Sequence, residues 1–316
     1  MGMILGHNGY QYKVNEHWVQ NNRANYPVND CHEMVQARSG LLYLLTNETK
    51  NNILIYNRDG EIKGSWGNEF PGGHGLSIHN ENGTEFLYIT DTVRHKVFKT
   101  SLTGRVIFEI DFPKEIGLYQ SADEFKPTET LIATNGDIYI TDGYGHQFVV
   151  QYNAKGEYLR HWGGKGPGKE HFDCVHGIAL DNRKKGLSSL LITSRNENCI
   201  KRFSLEGEYI NKISLPGSFV CRPVVYHNNI YAAVFRSGDN QNYGSGFITI
   251  LDEYDKVISS PGASEPIYHN YRLLPQRQLS KIFIHPHDVC IDQDENIYVP
   301  QWNSNRTHPL MLSRIG

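Results

Sequence analysis

A pattern of about forty to fifty residues recurs along this chain, and a period of that length dictates a repeat architecture before any single residue is weighed. The stretch HGLSIHNENGTEFLYITDTVRHKVFKTSLTGRVIFEI, from His74, gives two alternating apolar runs, a loop after an aspartate, a third run, then a glycine turn and a fourth. PTETLIATNGDIYITDGYGHQFVVQYNAKGEYLRHWG, from Pro127, and HGIALDNRKKGLSSLLITSRNENCIKRFSLEGEYINKI, from His176, repeat that design. Each copy reads as four short period-2 strands, with Gly60, Gly104, Gly156 and Gly207 marking the turn before the outermost one. A further copy begins at His32, a degenerate one at Arg222, and the last, from His287, ends before a fourth strand can form.

These six units dictate the fold. A lone four-stranded unit cannot bury both faces, so radial stacking about an axis is the natural solution. The expected architecture is all-β, a six-bladed β-propeller of NHL-type repeats forming one domain over residues 1–316. GYQYKV at 9–14 alternates suitably to complete the sixth blade, which would join the two chain ends. Residues 260–281, with Pro261, Pro266 and Pro275, read as a long insertion between blades five and six. The 30 glycines and 19 tyrosines suit such a turn-rich β protein. Lys and Arg total 31 against 34 Asp and Glu, which leaves no basic excess for nucleic acid. No basic leader with an apolar core opens the chain, and no window approaches the roughly 18 apolar residues of a membrane span. The expectation is a soluble, cytoplasmic protein without a membrane partner. Five cysteines, odd in number and without CxxC spacing, argue against a disulfide framework or a cysteine zinc site and fit a reducing compartment.

Histidine opens four copies just before the innermost strand, at CHEMV (His32), GGHGLSI (His74), CVHGIAL (His176) and HPHDVCI (His287). Thr128 takes that place in the third blade, and with a one-residue gap Arg222 takes it in the fifth. Inner strands line the axial channel, so these side chains should ring it. Blades two, four and six alternate, about 120° apart in a six-bladed ring. Three imidazoles so placed can hold one metal ion and leave a position open for chemistry. His74, His176 and His287 are therefore the expected ligands, and His32 a hydrogen-bonded channel residue. His285 points to the same face as His287 by strand periodicity and could donate to the metal or orient a ligand.

The segments HGLSI…YITDTVRHKVFK, PTETLIATNGDIYITDGYGHQFVVQY…GEYLRHWG, VHGIAL…SRNENCIKRF and PHDVCIDQDENIYV resemble, in order and spacing, peptidyl-α-hydroxyglycine α-amidating lyases. The likeness covers blades two to four well, the sixth at its inner strands, and the first and fifth weakly. It is more specific than a generic NHL match, which does not place histidine before the inner strand. It implies a propeller enzyme that cleaves a carbinolamide, R-CO-NH-CH(OH)-COOH, into a primary amide and glyoxylate. The family's motifs carry a zinc onto His74, His176 and His287, a base onto Tyr144 of D-G-Y, and a carboxylate-binding arginine onto Arg195. They also imply a structural calcium on Asp288 and the carbonyls of Leu76 and Met34. A cation there would relieve the burial of an acidic residue beside the axis.

Departures from the family bear on substrate more than on metal. Its second carboxylate-binding arginine falls on Asn47, with Arg222 or Arg236 as replacements, and a methionine near its metal falls on His285. The substrate class is therefore a peptide-derived or small hydroxy compound. Two other readings stand beside the lyase: a metal-dependent propeller hydrolase of the lactonase kind, and a non-catalytic NHL interaction module.

Overall fold

The computed structural model describes residues 2–19, 24–238 and 244–315. Part of the degenerate fifth repeat, 239–243, lies outside the described residues. The protein is a six-bladed β-propeller: six antiparallel sheets whose inner strands touch in succession around an axis. Those inner strands are Cys31–Gln36, Gly73–Glu81, Glu129–Ile132, Val175–Asp181, Ser218–Tyr226 and Cys290–Ile291. The first five sheets have four strands each, as the repeats predict. The sixth has five. Tyr10–Asn15 pairs with Leu310–Ile315 as expected, and Ile4–His7 adds an outer edge that the sequence reading did not foresee. That edge bonds to blade five, where the His7 amide donates to Ser259 Oγ at 2.9 Å. The 260–281 insertion carries its own hairpin, Tyr268–His269 with Arg272–Leu273.

Burial follows from the alternation within each strand. Six apolar clusters fill the gaps between neighbouring sheets; Leu45 and Ile53 of blade one, for example, meet Leu76 and Ile89 of blade two. Tryptophans latch the rim. Trp66, ending blade one, packs on the turn glycine Gly104 of blade two, and Trp162 of blade three packs on Gly207 of blade four. Both glycines have φ of 90°, and a Cβ at either would lie 2.7 Å from the indole. A side chain there would strain the turn and eject the ring. All five cysteines are free and buried, in line with their spacing. Among the described residues no helix is long and apolar enough to cross a membrane.

Candidate functional site

A shared irregularity aims the axial side chains. In blade two Gly73 pairs with Asp91 but Leu76 with Ile89, so two inner residues, His74 and Gly75, face one outer residue. The same step brackets His176 and Gly177 in blade four, and falls beside His32 in blade one. Such a bulge turns its side chains out of the sheet. Threonine hydroxyls of the second strand take up the freed amides: Gly75 N donates to Thr90 Oγ1 at 2.6 Å, and Gly177 N to Thr193 Oγ1 at 2.8 Å. Threonine in YIT and LIT was the sequence signal for this support, and it was not read.

Blade five has the same step, between Val220 and Pro223. The slot equivalent to histidine therefore belongs to Cys221, and the expectation for Arg222 is corrected. Blade five carries a second irregularity, a register shift between Phe219 and Val220 that leaves Phe235 extra in the second strand, and this displaces the count by one. Two layers result along the axis. The upper holds His32, His74, Thr128, His176, Cys221 and His287. The lower holds Glu33, Gly75, Glu129, Gly177, Arg222 and Asp288.

The four histidines of the upper layer are all buried and form one cluster. His74 and His287, with ring centres 4.8 Å apart, are shared by two triangles. His176 completes one at 4.9 Å from each, and His32 completes the other at 4.7 and 4.8 Å. His32, set aside from sequence, thus stands as close as the expected ligands. Donor atoms of His32, His74 and His287 lie within 4.8 Å of one another, as do those of His176, Cys221 and His287. His74 Nδ1 lies 2.8 Å from the Thr128 carbonyl and His287 Nδ1 lies 3.1 Å from the His32 carbonyl. A carbonyl only accepts, so both rings carry their proton on Nδ1 and present a bare Nε2 to the axis.

The Tyr144 hydroxyl sits 3.1 Å from His74 Nε2 and 3.0 Å from His176 Nε2. Its single proton goes to the bare His74 nitrogen, so His176 donates in turn. Tyr144 is held by its loop: Asp142 accepts from the Lys126 and His146 amides and from the Tyr119 hydroxyl. Gly143 has no room for a side chain, since a Cβ would fall 2.1 Å from the Val175 carbonyl oxygen. Gly143→Ala is expected to lower stability by about 1–3 kcal/mol, the usual range for overpacking, and to displace Tyr144. Denaturant melts would show it, and an unchanged midpoint would contradict the packing described.

Arg195 closes the constellation. Its guanidinium lies 3.5 Å from the Tyr144 hydroxyl and over the rings of Tyr144 and Phe235, at 5.6 and 5.2 Å. It makes no ion pair among the described residues. Above it opens a cavity of about 650 Å³ floored by His32, His74, His287 and Tyr144 and walled by Arg195, Arg236, Phe235 and Trp302. Asn47 also reaches this wall, its amide tied to Asp30.

Two expected residues lie elsewhere. Arg222 is buried one layer below the histidines, on the Asp288 carboxylate, and is not a substrate ligand from above. His285 does not reach the axis or the cavity: it stacks on Phe235 at 5.0 Å, and its Nε2 accepts the Gly244 amide. Asp288, Leu76 and Met34 do converge, but on the Arg222 guanidinium.

Burial drives the imidazoles down, His32 to about 3 and the other three well below their ordinary value, with mutual repulsion and Arg195 adding to it. All four are neutral at neutral pH, the form that binds metal. Stability from these rings is therefore complete above about pH 6.5 and is lost as pH falls toward the folded values, because only the unfolded chain takes up protons there. The metal-free protein is expected to lose up to about 1.4 kcal/mol per pH unit per ring below that point. Thermal melts from pH 7 to 4 check this; a flat melting temperature would contradict it.

Known proteins resemble this chain in fold and in part of its sequence. DUF5128, a family described as a 6-bladed beta-propeller, matches residues 120–270. Peptidyl-alpha-hydroxyglycine alpha-amidating lyase 1 of Drosophila melanogaster is 25% identical, over 79% of this chain and 46% of its own length. The second such lyase of that fly is 32% identical over 39% of this chain and 30% of its own length. The chain is similar to the amidating lyases. It spans less than half the length of either. Among solved structures, a streptogramin B lyase superposes with a TM-score of 0.59 at 13% identity, covering 96% of this chain and 98% of that one, which supports the fold alone.

Proposed function

We propose that the chain is a zinc-dependent lyase of the amidating type, cleaving the C–N bond of an N-acyl-α-hydroxyglycine or a related hemiaminal into an amide and glyoxylate. The observation that carries this reading is the Tyr144 hydroxyl on two neutral, carbonyl-oriented or axial imidazoles, with an arginine beside it that makes no ion pair among the described residues. The donor set suits the metal: neutral imidazoles with no lysine among them, of which His74 and His287 present a bare Nε2. His74, His176 and His287 would hold zinc, which when bound supplies a Lewis acid for the substrate's hydroxyl.

The chain's own residues account for the rest. Arg195 pairs the substrate carboxylate through its planar fork, and Arg236, across the same cavity, takes the part that Asn47 cannot. Tyr144 stands where the hydroxyl proton must leave. As the C–N electrons pass to nitrogen and the C–O bond becomes a carbonyl, that proton returns to the amide nitrogen. Burial pushes the Tyr144 phenol up to about 12, opposed by Arg195, so it is a base at neutral pH only with a cation beside the histidines. Phe235 and Trp302 form an apolar wall for the acyl part.

The protein as purified is expected to contain about one zinc per chain, as one tetrahedral site takes one ion, and to release glyoxylate from N-benzoyl-α-hydroxyglycine. Elemental analysis with a coupled glyoxylate assay tests both. Absence of any transition metal, together with no glyoxylate release, would overturn the reading.

A further inference from the structure

The lower axial layer, directly beneath the histidines, is a buried charge cluster that the proposed chemistry does not use. Arg222 lies at its centre. Its Nε and Nη2 donate to the two oxygens of Asp288 at 3.0 and 2.7 Å, and its Nη1 donates to the Leu76 carbonyl at 3.0 Å. Nη2 also reaches the Met34 carbonyl at 3.5 Å. Glu33 and Glu129 stand 3.5 and 3.6 Å from the guanidinium. Asp288 Oδ2 in turn accepts the Met34 amide, and Glu33 Oε2 the Leu76 amide. Blades one, two, three, five and six thus meet on one side chain. Blade four makes room for it: a Cβ on Gly177 would lie 2.6 Å from Arg222 Cα.

The oxygens gathered here are those on which the amidating-lyase resemblance places calcium. A calcium ion would need them at about 2.3–2.6 Å, in the space the guanidinium nitrogens fill. Ion and arginine exclude one another. We propose that Arg222 is the resident cation of this layer, a side chain in the role of a structural metal, and that the folded chain neither binds nor needs calcium. The proposal does not depend on what the histidine layer cleaves.

Charge complementarity accords with this: the carboxylates of Glu33, Glu129 and Asp288 all face the one guanidinium. A guanidinium suits the place better than an ammonium because its fork meets both Asp288 oxygens and a carbonyl at once.

The test compares calcium content and melting temperature in the full-length protein. Wild-type protein is expected to contain no calcium and to melt at the same temperature with or without about 1 mM calcium, a level that fills even weak protein sites. Arg222→Ala leaves buried carboxylates uncompensated and is expected to melt about 10 °C lower. It also opens a cage of oxygen ligands, so calcium should bind this variant and recover part of the loss. If Arg222→Ala does not fold, Arg222→Lys retains the charge without the fork and is expected to melt below the wild type, and an Arg222→Lys variant that melts with the wild type would overturn the proposal. One calcium per wild-type chain, a wild-type melting temperature that rises with calcium, or an Arg222→Ala variant that melts with the wild type would each overturn the proposal.

Discussion

A His287→Ala variant is expected to lose its transition metal and at least about a hundredfold in turnover, since groups that merely orient a metal ligand already cost about 10–100-fold. His287 is the residue common to both donor groups, those with His32 and His74 and with His176 and Cys221. Its Nδ1 is tied to the His32 carbonyl, so its free nitrogen is already aimed. Without it, neither of the two donor groups found among the described residues keeps three members. The two triangles then separate by single substitutions. If alternate blades hold the metal, His176→Ala should match His287→Ala, while His32→Ala keeps the metal. The reverse result would transfer the third ligand to blade one. A His287→Ala protein with full metal and full glyoxylate release would end the metal-centre reading altogether.

How much of this was legible depends on whether the information lay in the repeat or in its interruptions. Alternation and turn glycines specify four-stranded blades because each is a local rule, and the order of sheets follows from counting. The same rule located His74, His176 and His287. It failed at blade five, where the repeat is degenerate: a second register shift, between Phe219 and Val220, moves the count by one, so the slot passed from Arg222 to Cys221. His32 was undervalued because alternation of blades was treated as the condition for meeting, whereas side chains at a narrow axis reach neighbours as readily as alternates. His285 followed period 2 on paper, but the strand begins only at Cys290, and before it the chain is irregular. Its ring turns onto Phe235 instead. The calcium expectation turns on a different point, since oxygens alone do not reveal which cation they face. Only the reach of Arg222 across the axis does, and no local pattern encodes a contact 66 residues away from Asp288.

Tyr144 and Arg195 are expected to fail in different ways when removed, and the difference tests their roles more sharply than loss of activity alone. Tyr144→Phe deletes one oxygen from a ring that its loop still holds, so fold, metal content and KM should stay close to wild type. Its kcat should fall by about 10²–10⁴, the usual worth of a positioned proton carrier. Were Tyr144 only a packing aromatic, kcat would not move. Arg195→Ala removes a cation that makes no ion pair among the described residues, and the carboxylate of the proposed substrate is the anion it would take. Breaking such a pair costs about 2–5 kcal/mol, which appears as a KM at least about thirtyfold higher. A smaller fall in kcat should accompany it, because Arg195 also restrains the upward shift of the Tyr144 phenol. Arg195→Lys should recover part of the kcat and little of the KM, since an ammonium restores charge but not the two-point grip on a carboxylate. An ester or amide of the same substrate, lacking the carboxylate, should show the same KM with wild type and Arg195→Ala, leaving only the smaller fall in kcat. If the acid also showed no more than that fall, the arginine would be acting on the tyrosine alone, and the carboxylate would have to be bound by Arg236.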